Sequence, residues 1–185
     1  MPERVMVFVD GSNFLIELSK ELNIQFRADR PPPSASRYVQ QMIKRIGIRY
    51  NIIRSFWFAS YQGSDEYRDK IRSYLREYEF EPVLFKKKDG KEKGVDIALT
   101  KEMLVNAFNQ NFDIGYLIAG DGDYVGLVNE VKRYGPIVRG IFFQHGLSND
   151  LRLAFDSFEY FNDDIWSTLN REGYMQIIQE ESRPQ

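Results

Sequence analysis

Four aspartates stand at points of the sequence where a side chain can do chemistry. Asp10 directly follows the first apolar run of the chain, Asp121 and Asp123 follow a later one, and Asp96 lies in the first turn of a predicted helix. Two carboxylates about 4 Å apart repel each other by roughly 4 kcal/mol at an effective dielectric constant near 20. A group of them therefore requires a bound cation or raised pKa values. Oxygen ligands of this kind suit Mg²⁺ or Mn²⁺, which commonly act on phosphates.

Each of these aspartates also has an ordinary structural role open to it. Asp10 could simply cap the helix that follows it. Asp121 and Asp123 alternate with glycines, a pattern that is common in turns. Asp96 would complement the positive end of its helix dipole. Their joint placement, at strand ends and helix starts, is what favours a shared function.

The elements that must position these side chains follow from the hydrophobic pattern. Short apolar runs predict five strands, at residues 5–9, 52–59, 80–85, 114–119 and 137–143. Helical spacing predicts helices between them, at residues 14–22, 37–46, 64–78, 94–109 and 124–134. The proline-containing segment 27–36 is predicted to be a loop, and the chain beyond residue 149 to form two short helices around residues 158–161.

Strands that alternate with helices indicate an α/β fold, with a mainly parallel five-stranded sheet covered by helices on both faces. We predict a single domain of this Rossmann-like, three-layer kind at residues 1–171, followed by a tail at residues 172–185. In such sheets ligands bind beyond the carboxyl ends of the strands, where the strand order reverses. Asp10 and Asp121 would meet there if their strands are neighbours.

Composition excludes several classes of site. The 185 residues contain no cysteine and one histidine, His145, so disulfides, thiolate zinc sites and multi-histidine metal sites are excluded. The formal net charge of −2 is not that of a strongly basic nucleic-acid binder, so any such binding must use a local patch. No apolar stretch approaches 20 residues and no signal peptide is evident, which predicts a cytoplasmic protein without a membrane partner.

Three segments resemble a known family. VFVDGSN at residues 7–13, KGVDIAL at 93–99 and AGDGDY at 119–124 are similar, in order, to the three motifs of NYN domains, which are PIN-like nucleases. The spacing is closest to the bacterial LabA-like branch. The resemblance extends from about residue 5 to residue 143 and implies a PIN-like sheet. It also implies a ribonuclease, with an endonuclease as the expectation, that leaves a 5′-phosphate and a 3′-hydroxyl.

The resemblance also implies roles for individual residues. Asp10, Asp96, Asp121 and Asp123 match the acidic cluster that holds Mg²⁺ or Mn²⁺, and Asn13 matches a polar residue that orients the ligand or the substrate phosphate. The family often has a second aspartate six residues after the one matched by Asp96, and this chain has Glu102 there. Six residues amount to about 120° of rotation around a helix, so we expect Glu102 to lie behind the metal ligands or at the surface.

A run of lysines precedes Asp96 and would draw a phosphate backbone towards the acids. These lysines, together with Ser12, are our candidates for binding RNA, with single strands as the expected form: Lys86, Lys87, Lys88, Lys91 and Lys93. A solvated surface loop is the alternative for the run.

Two other functions remain open from the sequence. A non-catalytic RNA-binding or regulatory scaffold could keep the fold, although it would not need four mutually repelling aspartates. A phosphohydrolase of small molecules would favour a closed pocket over a basic rim. The sequence leaves the oligomeric state undecided, and a homo-oligomer is compatible with it.

Overall fold

The computed structural model describes residues 2–22, 33–87 and 94–161. Within these ranges the chain forms β1 (Arg4–Asp10), α1 (Gly11–Leu22), α2 (Pro33–Gly47), β2 (Asn51–Tyr61), α3 (Asp65–Glu77), β3 (Glu81–Lys86), α4 (Val95–Phe108), β4 (Ile114–Ile118), a 3₁₀ turn (Gly122–Tyr124), α5 (Val125–Arg133), β5 (Ile137–Phe142), α6 (Asn149–Ala154) and β6 (Ser157–Tyr160). No helix in these ranges is both long and apolar enough to span a membrane.

The strands form one parallel sheet in the order β3-β2-β1-β4-β5-β6. The chain builds outward from β1 through β2 to β3, then returns to the other side of β1 and builds outward again through β5 to β6. The order therefore reverses between β1 and β4, which are hydrogen-bonded neighbours. The α/β class and the parallel sheet are confirmed.

The central strand shows why the sheet has two covered faces. Residues 5–10 of β1 are all buried, and successive side chains of a strand point to opposite faces. Val5, Val7 and Val9 join a core cluster that includes side chains of α1, α2 and α3. Met6 and Phe8 join a second cluster, with side chains of α4, α5 and α6. The almost wholly apolar run in β1 is thus typical of a parallel strand covered on both sides.

The expected count of five strands is wrong, because the sheet has a sixth. Beyond residue 149, α6 agrees with the first of the two expected short helices and residues 157–160 form β6, whereas the chain after residue 161, where a second helix would lie, is outside the described residues. β6 is four residues long and pairs with β5 from Arg139 to Phe142. So short a segment carries no readable period, and its extended form depends on partners that are distant in the sequence.

α2 also begins earlier than predicted. It starts at Pro33 and not near residue 37, so the predicted loop at residues 27–36 is wrong at its carboxyl end. Proline suits the first helical position, because its missing N–H has no partner inside the helix there. The rest of that loop, at residues 27–32, and the predicted domain boundary at residue 171 lie outside the described residues.

Candidate active site

A pocket of about 230 Å³ lies beyond the carboxyl ends of β1 and β4. Val9 and Ile118 are paired in register, so the chain leaves both strands at the same edge of the sheet. The residues that line the pocket come from the end of β1, the first half of α1, the start of α4 and the segment after β4 with its 3₁₀ turn: Asp10, Ser12, Asn13, Ile16, Val95, Asp96, Asp121, Asp123 and Tyr124. All four aspartates that we singled out in the sequence therefore share one pocket.

Asp10 is the buried member of the four, with 7% of its surface exposed. Its Oδ1 accepts a hydrogen bond from the backbone N–H of Asn13 at 2.9 Å, as a helix-capping aspartate does. Its Oδ2 accepts one from the hydroxyl of Tyr124 at 2.8 Å. The capping role that the sequence left open is therefore present, and the same carboxylate also faces the pocket.

The other three aspartates are exposed. Asp121 and Asp123 follow β4, and the backbone N–H of Asp123 donates to Oδ1 of Asp121 at 3.0 Å. This bond caps the 3₁₀ turn. Asp96 lies in the first turn of α4, which begins after Gly94. Gly94 has φ of +93°, a conformation that glycine adopts readily.

Asn13 connects the two strand ends. Its side-chain Oδ1 accepts a hydrogen bond from the backbone N–H of Gly120 at 2.8 Å. The acceptor atom identifies which end of the amide is the oxygen, so the side-chain NH₂ remains the donor that Asn13 can offer to the pocket.

The segment after β4 is packed too closely for any side chain at residue 120. A Cβ atom on Gly120 would clash with the backbone carbonyl of Gly146 and with the ring of Phe142. The carbonyl of Gly120 also accepts a hydrogen bond from the N–H of Ser148 at 2.8 Å. The loop between β5 and α6 therefore supports the backbone that carries Asp121 and Asp123.

Tyr124 shows the electrostatic character of the pocket. The pKa of its phenol is raised far above the usual value, first by burial and then by the negative charge of Asp10. The hydrogen bond to Asp10 and the charges of Asp96 and Asp121 raise this pKa further. The phenol therefore stays protonated and acts as a hydrogen-bond donor within a field of carboxylates.

The remaining predicted residues are distributed as follows. Ser12 lines the pocket, and its Oγ accepts a hydrogen bond from the backbone N–H of Ser60 at 3.1 Å. Glu102 is not among the lining residues, and its carboxylate accepts a hydrogen bond from the side chain of Asn106 at 2.9 Å. Lys86 is exposed at the end of β3 and Lys87 is half-buried, whereas three predicted lysines lie outside the described residues: Lys88, Lys91 and Lys93.

Sequence reasoning missed three residues of the pocket: Ile16, Val95 and Tyr124. The sequence placed Tyr124 only at the start of the helix predicted at residues 124–134, and its ring packs in the core. A buried tyrosine usually needs a hydrogen-bond partner for its hydroxyl. Tyr124 directly follows Asp123 in the chain, so a buried tyrosine beside the candidate aspartates is the signal that could have identified it.

The side chains of the pocket are of the chemical kind that binds a hard divalent cation, but their present arrangement does not form a binding site. The titratable side chains that line it, apart from the phenol, are carboxylates, which are the ligands preferred by Mg²⁺ and Mn²⁺. Within the described part of the chain, however, no three Asp, Glu or His side chains are grouped so that they could hold a metal ion. Binding one would require the exposed carboxylates of the pocket to move closer to one another and to Asp10.

Comparison with known proteins supports the assignment of the fold and identifies the family. The structure resembles the crystal structure of a protein of unknown function from Vibrio parahaemolyticus, with a TM-score of 0.67 and 20% sequence identity over 88% of this chain and 95% of that one. No curated protein gave a significant match to the sequence. The family model for the NYN domain matches residues 4–164. Placement in the LabA-like branch stays a prediction. The chain belongs to the NYN domain family.

Proposed function

We propose that this protein is a metal-dependent ribonuclease that hydrolyses RNA phosphodiester bonds at the pocket between β1 and β4. NYN domains have a nuclease-type fold. The observation that carries the proposal is the convergence of Asp10, Asp96, Asp121 and Asp123 on one pocket at the point where the strand order reverses. These residues come from three distant parts of the sequence, and ordinary capping would not require them to share a cavity.

In this proposal the four aspartates hold one or two Mg²⁺ or Mn²⁺ ions. Such an ion would lower the pKa of a bound water and neutralise charge on the scissile phosphate. Asn13 donates its side-chain NH₂ to a phosphate oxygen, because its carbonyl oxygen is already bonded to Gly120. Asp10 is held in place by donors to both of its oxygens. The products are a 5′-phosphate and a 3′-hydroxyl.

The lysines that precede Asp96 are proposed to bind the phosphate backbone of single-stranded RNA. Five lysines between residues 86 and 93 are accompanied by two acidic residues, which leaves a local charge of +3 by the arithmetic 5 − 2. A basic segment directly before α4 draws the strand towards the pocket, since Asp96 lies in the first turn of that helix.

The test is cleavage of a labelled single-stranded RNA with Mn²⁺ and with a chelator in its place. We expect Asp96→Asn and Asp121→Asn each to lower the rate by at least about 100-fold, on the scale of removing a charge from a reacting site. Glu102→Gln is the matched control, because Glu102 lies on the same helix as Asp96 and outside the pocket. Cleavage that persists in the chelator and in Asp121→Asn would overturn the proposal.

A non-catalytic RNA-binding scaffold is the second candidate. It is favoured by one observation: no three acidic side chains in the described ranges are already grouped to hold a metal ion. Wild-type protein that binds RNA but does not cleave it with Mg²⁺, Mn²⁺ or other divalent ions would establish the scaffold instead.

A further inference from the structure

The hydroxyl of Tyr124 is buried at the pocket, and the proposed reaction gives it no role. Tyr124 is 2% exposed, and its ring packs in the core cluster beneath α4 and α5. The helical stripe that it begins continues with Leu127, Val128 and Val131, all of which are apolar and buried. Packing alone would be met by an apolar residue here, so the hydroxyl requires a separate explanation.

That hydroxyl donates to Oδ2 of Asp10 at 2.8 Å, in a bond that is itself buried. The opposite oxygen, Oδ1, accepts the backbone N–H of Asn13. Two donors on two different oxygens determine both the rotation and the tilt of the carboxylate. One donor belongs to the helix that Asp10 itself caps, and the other belongs to the segment that carries Asp121 and Asp123.

We propose that Tyr124 is a positioning residue, which holds the carboxylate of Asp10 in a fixed relation to Asp121 and Asp123. The inference rests on the proposed function, since it assigns Asp10 to the same metal-binding pocket. The phenol does not contact the reacting atoms. It acts through Asp10, as the hydrogen-bond partners of metal-ligating carboxylates do in general.

Removal of the hydroxyl should therefore affect metal binding and turnover more than it affects the fold. In Tyr124→Phe the ring still fills its place in the core, but Oδ2 of the buried Asp10 carboxylate loses the hydrogen bond from Tyr124. We expect the Mn²⁺ affinity and kcat each to fall by about 10- to 100-fold, the usual effect of losing such a partner. KM for RNA should change little, because Tyr124 is not a predicted RNA contact.

Tyr116→Phe is the matched control. Tyr116 is also buried, at 3% exposure, and its hydroxyl also takes part in a hydrogen bond, accepting from Arg139 at 3.3 Å. Its ring packs in the core cluster on the other face of the sheet, away from the pocket. The two variants therefore remove the same atom from comparable surroundings.

The experiment measures Mn²⁺ binding to metal-free protein by calorimetry, thermal unfolding, and the separate kcat and KM for RNA cleavage. Weaker Mn²⁺ binding and lower kcat in Tyr124→Phe alone, with thermal unfolding near that of Tyr116→Phe, would support the positioning role. A wild-type Mn²⁺ affinity and a wild-type kcat in Tyr124→Phe would overturn the positioning role and leave the proposed function intact. Wild-type protein that neither binds Mn²⁺ nor cleaves RNA would overturn the proposed function and this role with it.

Discussion

The side-chain oxygen of Asn13 accepts a hydrogen bond from the backbone N–H of Gly120 across a sequence separation of 107 residues. This bond joins the first turn of α1 to the segment that leaves β4, the two pieces of chain that flank the strand reversal. It also settles what Asn13 can offer a ligand. Because one lone pair of the carbonyl oxygen accepts from Gly120, the NH₂ is the group that Asn13 can offer to a phosphate oxygen.

Asn13→Asp tests this division of roles within one side chain. A carboxylate still accepts from Gly120, so this hydrogen bond should be kept, and any loss in the free energy of unfolding should come from repulsion by the pocket aspartates. It has no hydrogens to donate, and it adds a negative charge beside a phosphate, so RNA cleavage should fall by about 10-fold or more. Asn13→Ala removes both functions and should lose activity and about 1 kcal/mol of stability together. Wild-type cleavage by Asn13→Asp would show that the amide hydrogens do not contact the substrate.

Gly120 and Gly126 form a pair of alanine substitutions with opposite expected signs. A Cβ atom at Gly120 would clash with Gly146 and Phe142, so Gly120→Ala should cost about 1–3 kcal/mol, the usual range for overpacking. Gly126 lies inside α5 with no atom within 4 Å of the added Cβ, so Gly126→Ala should stabilise by about 0.5–1 kcal/mol. Urea unfolding of the two variants measures both values. A stable Gly120→Ala would show that the loop after β5 can move away from the pocket.

Asp113 should make unfolding depend on pH in the acid range. Its carboxylate accepts hydrogen bonds from the side chain and the backbone N–H of Arg4, and both bonds hold its pKa below the ordinary value. A lowered folded-state pKa contributes stability that is present above the unfolded-state pKa, near 3.9, and is lost as the pH falls through the folded-state value.

The corresponding variant is Asp113→Asn, with Glu3→Gln as the control. At neutral pH the Asp113 variant should lose at most about 1 kcal/mol, because the ion pair is partly exposed and screened by solvent. The difference from wild type should shrink as the pH falls below about 3.9. Glu3→Gln should show no such trend. Urea unfolding from pH 7 to pH 2 measures the difference in unfolding free energy between the Asp113 variant and wild type. A difference that grew as the pH fell would contradict the lowered pKa of Asp113.

The predicted RNA contact can be measured through its salt dependence. Replacement of Lys88, Lys91 and Lys93 by Gln should weaken binding of single-stranded RNA. It should also lower the slope of log K against log salt by about 0.7 for each phosphate that the protein no longer neutralises. The control removes the same charge from exposed positions of α3: Lys70, Arg72 and Arg76. Equal weakening in both triple variants would indicate attraction by overall charge and not a binding surface next to Asp96.

Most of the fold could be predicted because its signals are local. The strands β1 to β5 contain apolar runs that are readable in five to eight neighbouring residues, and all five are confirmed. β6 was missed because a four-residue strand is stabilised by pairing with β5, which no local pattern records. α2 was predicted to start late because prolines were taken as signs of a loop, although Pro33 suits a first turn.

The sequence by itself determined that this is a parallel α/β domain and that Asp10 and Asp121 must emerge at strand ends. Burial on both faces and the start of each helix are encoded within single segments. Only the tertiary structure decided that these ends are adjacent and that Tyr124 bonds to Asp10. Contacts between residues far apart in the chain depend on the order of the strands. That order is selected by the packing of the whole core and not by any one segment.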